Sequence, residues 1–372
     1  MFNNLDASHV VSINAAVHDL CKNPEEYGEL AQLRWLFRKG FRRKLQKLLN
    51  QSLVNASEDA VYEVGIGWID KIPLAKSLVL SNKTELGDAM LFSFEDTRNY
   101  QGRLLNRRSR AAILQAKVAD NGTQMSNPIV PVGTSSSTPR ELTLLSEWPL
   151  FDLYQTSGHK VSCLTNVSVL TAKPTGNPPP HGWFIVAPGR KPEVHEASSW
   201  PCWWMAGPAA VHAPCSTTLG EIIVGFLQPG STAADVGAEF IRVTPHTPQK
   251  NGSSADWDDL CNEVLRILNE YNAPKKLFGE DHDRLVTIRG QQEPEIFRYR
   301  FRQPIIDPCL RRFGLIGWTG YPWGGGPEYR SSYPPKTPEE AETVGEGDGG
   351  MLVLNVTLTR FEGEGEVPLE RG

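Results

Sequence analysis

Two apolar runs in the first third of the chain constrain its fold more than anything else: Glu85-Leu86-Gly87-Asp88-Ala89-Met90-Leu91-Phe92 and Ala111-Ala112-Ile113-Leu114-Gln115-Ala116-Lys117-Val118. Each reads as a strand, and each carries polar groups that a buried strand does not normally accept. An unpaired carboxylate or ammonium costs several kcal/mol to bury, so such groups persist in a core mainly when they are paired or metal-bound. Side chains at i and i+2 share a strand face, so Gln115 and Lys117 point the same way. With Asp88 opening the neighbouring strand, a carboxylate, an amide and an ammonium meet at one sheet edge. Such a set suits a hard divalent cation and a phosphodiester.

Gly87-Asp88 followed by Gln115-Ala116-Lys117 resembles the active-site signature of the PD-(D/E)xK restriction-endonuclease-like superfamily. More narrowly it resembles the Mrr-like branch, in which Gln replaces the second acidic residue. The motif-bearing region runs from about Ser57 to Gly189. It lacks the proline before Asp88, and Gln115 removes one negative ligand. The resemblance implies an α/β fold with α+β elaborations: a mixed central sheet flanked by helices, with a C-terminal α+β extension. It implies a metal-dependent endonuclease that hydrolyses nucleic-acid phosphodiesters, DNA before RNA, in restriction or anti-phage defence. In the implied site Asp88 and the backbone carbonyl of Ala116 ligate Mg2+, for which Mn2+ can substitute. A helix-borne glutamate completes the set; Glu63 is the choice, with Glu58 and Glu85 as rivals. Lys117 orients or deprotonates the attacking water and stabilises developing charge, while Gln115 orients that water or ligates weakly.

At 372 residues the chain exceeds the size at which single cores usually stop growing, so two domains, or one with large elaborations, are expected. The division read from the sequence is an N-terminal helical region with a basic face (1–56), a nuclease-like core (57–190) and a C-terminal α+β elaboration (191–372). A net charge of −5 rules out a generic polyanion binder, so nucleic-acid contact must come from a local patch. The six cysteines are scattered without a CxxC pair, and nothing resembling a secretory signal precedes them. Reduced thiols in a cytoplasm, with no membrane span, are the expectation. Expected partners are nucleic acid and, as protein, a second copy of the chain or a defence-system component.

Leu33, Leu36, Phe37, Phe41, Leu45, Leu48 and Leu49 recur at helical spacing, and the opposite face carries Arg34, Arg38, Lys39, Arg42, Arg43, Lys44 and Lys47. That face is either a solvated surface or a phosphate-contacting one. Ser57-Glu58-Asp59 reads as a helix start running through Glu63. Strands are expected around 65–69, 85–94, 111–118, 182–188 and 351–361. The arginines Arg98, Arg103, Arg107, Arg108 and Arg110 fall in an exposed hairpin tip, and 121–139 reads as a flexible polar loop. Helices are expected at 140–155, 217–227 and 256–271. The resulting order of helix, three strands, helix and strand agrees with the minimal core of the superfamily.

Other constellations are weaker. His159 with Cys163, or Cys202 with His212 and Cys215, lack the paired spacing of a structural zinc site. Gly324-Gly325-Gly326 lacks the Lys-Ser/Thr of a phosphate-binding loop. The alternation Phe297–Arg302 puts Arg298, Arg300 and Arg302 on one strand face. That row either pairs with Glu293 or Glu295 or tracks a phosphate backbone. The competing functional reading is a protein that keeps the nuclease fold without catalysis and serves as a binding or sensor module.

Overall fold

The computed structural model describes residues 5–24, 26–36, 39–55, 60–70, 73–99, 101–133, 137–156, 158–170, 178–242, 255–271 and 350–362. Three helices come first: α1 (Ala7–Cys21), α2 (Glu29–Leu36) and α3 (Lys39–Asn55). Then follow β1 (Ala60–Asp70), β2 (Leu74–Ser77), β3 (Thr84–Glu85), β4 (Ala89–Arg98), β5 (Leu104–Ala119), α4 (Gly122–Ser126) and α5 (Thr138–Glu147). After these come β6 (Phe151–Tyr154), β7 (Leu164–Val167), β8 (Gly182–Pro188), β9 (Met205–Pro208), β10 (Thr217–Thr218) and α6 (Leu219–Leu227). The remaining described elements are β11 (Ala238–Phe240), α7 (Trp257–Tyr271) and β12 (Gly350–Phe361).

The main sheet runs β1-β12-β4-β5-β8-β9-β10, with β11 taking the edge of β5 that β8 leaves; a second sheet runs β3-β2-β6-β7. β12 with β4, and β5 with β8, are parallel, and the remaining pairs are antiparallel. The chain is thus mixed α/β, with a large mixed sheet flanked by helices. Every residue of β8 is buried, and β5 is buried almost throughout its second half. Continuous burial is what strands covered on both faces require. Among the described residues no helix is long and apolar enough to cross a membrane.

The regions drawn from the sequence at 57–190 and 191–372 share this sheet, and the helices of 1–56 pack against it. β12, from 191–372, lies between β1 and β4, so the set of strands bounded at 57–190 omits one from the middle of the sheet. In chain order β1, β4, β5, α5 and β8 follow the expected succession of strands and helix, with the second sheet's strands interleaved, and α3 rather than a helix through Glu63 precedes them.

The edge strand β1 is sealed by α3. Asn50 donates to the Tyr62 carbonyl and accepts from the Tyr62 N–H, both at 2.9 Å. Gln46 accepts from the Val64 N–H at 3.4 Å, and Arg42 donates to the Val64 carbonyl at 3.3 Å. Residues 42, 46 and 50 share one helix face, and four helical residues rise about as far as two strand residues, so helix and strand keep in step. An edge covered this way is closed to strand recruitment.

Several local expectations are corrected. The helix expected from Ser57 through Glu63 gives way from Ala60 onward to β1, because Tyr62, Val64, Ile66 and Trp68 are buried at period two, an alternation that outweighs a serine-cap signal; residues 57–59 lie outside the described ones. The 85–94 strand is broken at Leu86–Asp88, leaving Glu85 on β3 in the second sheet. The 140–155 helix ends at Glu147, where Trp148 turns left-handed (φ 46) ahead of Pro149, and β6 follows. The 121–139 loop contains α4. Arg98 is buried and bonded to Asp96 rather than exposed at a hairpin tip.

Candidate active site

Asp88 precedes β4 by one residue, and its N–H donates to the Leu114 carbonyl at 3.0 Å, one residue out of the register in which Leu114 pairs with Ala89. Gly87 is required just before it, since a Cβ there would collide with the Ile113 side chain. Ala116 lies two residues beyond Leu114 and so presents its backbone to the same edge, where β4 has ended. Its N–H donates to Asp88 Oδ2 at 2.8 Å, and Gln115 Nε2 donates to the same oxygen. Asp88 is 8% exposed and Gln115 0%. Gln115 Oε1 is buried without a hydrogen-bond partner, a state that costs roughly 1–3 kcal/mol and is rare unless something fills it.

The Lys117 ammonium stands 3.0 Å from Glu141 Oε2 and 3.2 Å from Glu29 Oε2. Glu141 sits in the first turn of α5, which packs closely on β8: a Cβ on Gly182 would stand 3.0 Å from Leu145. Glu29 opens α2, which Gln32 fixes one turn later. The Gln32 amide donates to the Tyr27 and Pro188 carbonyls at 2.9 Å and accepts from Trp203 Nε1 at 2.8 Å. Both glutamates therefore lie at helix N-termini, where the helix dipole favours negative charge. Gly133, at φ 85, crosses over the lysine stem, with Lys117 Cδ 3.6 Å from where its Cβ would be.

The cluster is short of positive charge. Burial pushes the Asp88 carboxyl well above the ordinary carboxylate range, and Glu29 adds to the rise. Burial also raises Glu29 and Glu85, with Glu141 contributing at each. Burial works against the Lys117 ammonium, but Asp88, Glu29 and Glu141 outweigh it and hold the lysine above its usual value. Lys117 is therefore a fixed cation, better suited to stabilising phosphate charge than to deprotonating water.

The structure brings Asp88, Gln115, Ala116 and Lys117 together. It does not bring Glu63, which pairs with Thr357 on β12, itself opposite Phe94 on β4. That register sets Glu63 roughly 20 Å from Asp88, two strands over and six residues along. The helix expected to carry it is a strand. Glu58 lies outside the described residues. Glu85 is within electrostatic reach of Glu141 and Lys117.

For a magnesium ion the donors present are the Asp88 carboxylate, Gln115 Oε1 and the Ala116 carbonyl. They fit an ion that keeps several waters and takes few protein ligands. Among the described residues no three His, Cys, Asp or Glu side chains form a ready metal cage. The expected basic contacts divide. Arg34 and Arg43 are exposed, whereas Arg42 is engaged with β1. Arg38, Arg298, Arg300 and Arg302 lie outside the described residues. Cys21, Cys163, Cys202, Cys215 and Cys261 are free thiols that burial holds above the ordinary range, poor nucleophiles all.

A cavity of about 50 Å³ lies at the far end of the same strands, among Glu95, Arg108, Arg110, Glu239 and Arg360. Its charges pair with one another, Arg108 with Glu239 and Arg360 with Glu95, both at 2.6 Å. Ser109 Oγ on its wall is buried without a hydrogen-bond partner, but these carboxylates, unlike Asp88, each meet a guanidinium.

Sequence reasoning missed Glu29 and Glu141. Glu141 carries a faint signal, an acid in the first turn after Ser137-Thr138-Pro139, but nothing local marks it as a lysine partner. Compared with known protein families, curated proteins and solved structures, the chain matches none.

Proposed function

We propose that the chain is a divalent-cation-dependent nuclease with a restriction-endonuclease-like core, hydrolysing phosphodiester bonds of DNA in preference to RNA. The observation that carries this reading is the meeting of Asp88, Gln115 and Lys117 at the point where β4 ends beside β5, with Gln115 Oε1 buried and unpaired. Asp88, Gln115 Oε1 and the Ala116 carbonyl would hold Mg2+ or Mn2+, with Glu85 in the place first given to Glu63. When bound, the ion supplies Lewis acidity to the scissile phosphate. Lys117 binds a phosphate oxygen and stabilises the charge that builds there. Gln115 keeps Asp88 oriented, and Glu141 keeps Lys117 charged. The exposed Arg34, Arg43, Lys44 and Lys47 lie on α2 and α3 and suit a phosphate backbone. Restriction or anti-phage defence and a cytoplasmic setting go with this reading.

A second reading, a nuclease-like fold that binds without cutting, is favoured by one observation: the Lys117 ammonium is occupied by two carboxylates. One experiment separates the two. Full-length protein is tested for Mn2+-induced thermal stabilisation and for cleavage of labelled duplex DNA in Mg2+, beside Asp88→Asn and Lys117→Ala. Catalysis predicts that Asp88→Asn loses the metal shift and that Lys117→Ala loses roughly 10²–10³-fold in rate while binding changes only a few-fold. Equal cutting by wild type and Lys117→Ala places the chemistry elsewhere. DNA binding without a metal shift or cutting selects the second reading.

A further inference from the structure

The two carboxylates on Lys117 are held in different ways. Glu141 is 2% exposed, and its helix is pressed onto β8 through Leu145. Glu29 is 36% exposed, and residues 26–28 before it are not helical. The body of α2 is fixed at Gln32, so a change of the Glu29 rotamer alone can withdraw its carboxylate into water. The lysine side chain is 6% exposed, and of its two carboxylate partners Glu29 is the one that reaches solvent.

We infer that Glu29 is an exchangeable partner of Lys117, occupying the ammonium until a phosphate oxygen displaces it, while Glu141 is the permanent partner. This deepens the phosphodiester reading and rests on it for the identity of the anion. The charge count supports the exchange. Asp88, Glu29 and Glu141 already surround one ammonium, and a further anion can approach only if one carboxylate leaves. Glu141 cannot leave without burying a charge apart from its partner, a costly state. Glu29 is about a third exposed, so its carboxylate can turn to solvent while Lys117 keeps Glu141. In the resting protein Glu29 therefore shields Lys117 from stray anions and keeps the lysine side chain aimed.

The test uses inorganic phosphate as the probe on the full chain, read by thermal shift across a phosphate titration at constant ionic strength. Glu29→Gln removes the competing charge and should bind phosphate about fivefold tighter than wild type. Glu141→Gln should bind no tighter than wild type. The double variant Glu29→Gln with Lys117→Ala should lose the gain, which assigns the phosphate to Lys117. Unchanged affinity in Glu29→Gln, an equal gain in Glu141→Gln, or a gain that survives loss of Lys117 overturns the exchange. A parallel titration with a non-cleavable DNA duplex keeps the two ideas apart. If phosphate behaves as expected and no duplex binds wild type or Glu29→Gln, the exchange stands and the nuclease reading falls.

Discussion

Strand β4 and the residue before it carry two buried aspartates on the same face of the same strand pair, and their surroundings are opposite. Asp96, 2% exposed, receives Arg107 Nε at 2.6 Å and Nη2 at 2.7 Å, and Arg98 Nη2 at 3.0 Å. Arg98 also donates to the Gly102 carbonyl at 2.9 Å, closing the hairpin, and Arg107 lies over the Phe94 ring. Its charge is fully matched by fork-shaped donors. Asp88 receives only an amide and a backbone N–H, while the nearest cation turns to Glu29 and Glu141. One aspartate is neutralised by its neighbours and holds a hairpin shut. The other is left needing a proton or a cation, which is the signature expected where a protein binds something.

The largest effect expected from this contrast is at the satisfied end. Asp96→Asn should cost about 3–5 kcal/mol in urea unfolding, because two guanidinium groups lose their buried counter-charge. A loss below about 1 kcal/mol would make Asp96 an ordinary surface ion-pair member and remove the contrast.

Asp88→Asn should act in the other direction. Its folded carboxyl is raised, so the native state holds that proton more tightly than the unfolded chain, and stability falls as pH rises through and above the ordinary carboxylate range. At pH 7–8 the variant, whose Oδ1 can still accept from Ala116, should be more stable than wild type by about 1 kcal/mol. The gain should shrink toward pH 4, where wild-type Asp88 is protonated. Unfolding curves at the two pH values measure it, and a loss at neutral pH would make the two aspartates alike.

The smallest effect lies away from both. Replacing Arg43, Lys44 and Lys47 with Gln should leave stability within about 0.5 kcal/mol. If these residues touch DNA phosphates, the slope of log affinity against log salt should flatten by up to about 0.9 per lost contact. An unchanged slope assigns that face to solvent.

What the sequence disclosed follows physical range. The polar interruptions at Asp88, Gln115 and Lys117 were legible because strand period two fixes which side chains share a face, whatever lies around them. The helices α6 and α7 begin within two residues of where they were expected, and Thr218 forms a capping box with Glu221. Glu63 misled because the period-two burial of β1 outweighs a serine-cap signal, whose residues 57–59 lie outside the described ones. Glu29 and Glu141 were illegible, since a first-turn glutamate looks the same whether it faces water or a buried lysine 88 positions away. The placement of β12 was equally hidden: its apolar run announced a strand, but no local signal says which neighbours a strand will choose.

That placement has a consequence for how the chain comes to be folded. During synthesis β1 and β4 emerge early, each with a hydrogen-bonding edge that waits for residues 350–361. At about 5–20 residues per second, roughly 10–50 s separate the appearance of β4 from that of β12. Through this interval the nascent chain holds an open slot between β1 and β4, the kind of gap that a β-strand from another polypeptide can enter. The closing step joins segments very distant in sequence, so it should be slow relative to the α1–α3 region and the β4–β5 hairpin. Ribosome-bound fragments ending before residue 350 should therefore depend most on chaperones that mask strand edges.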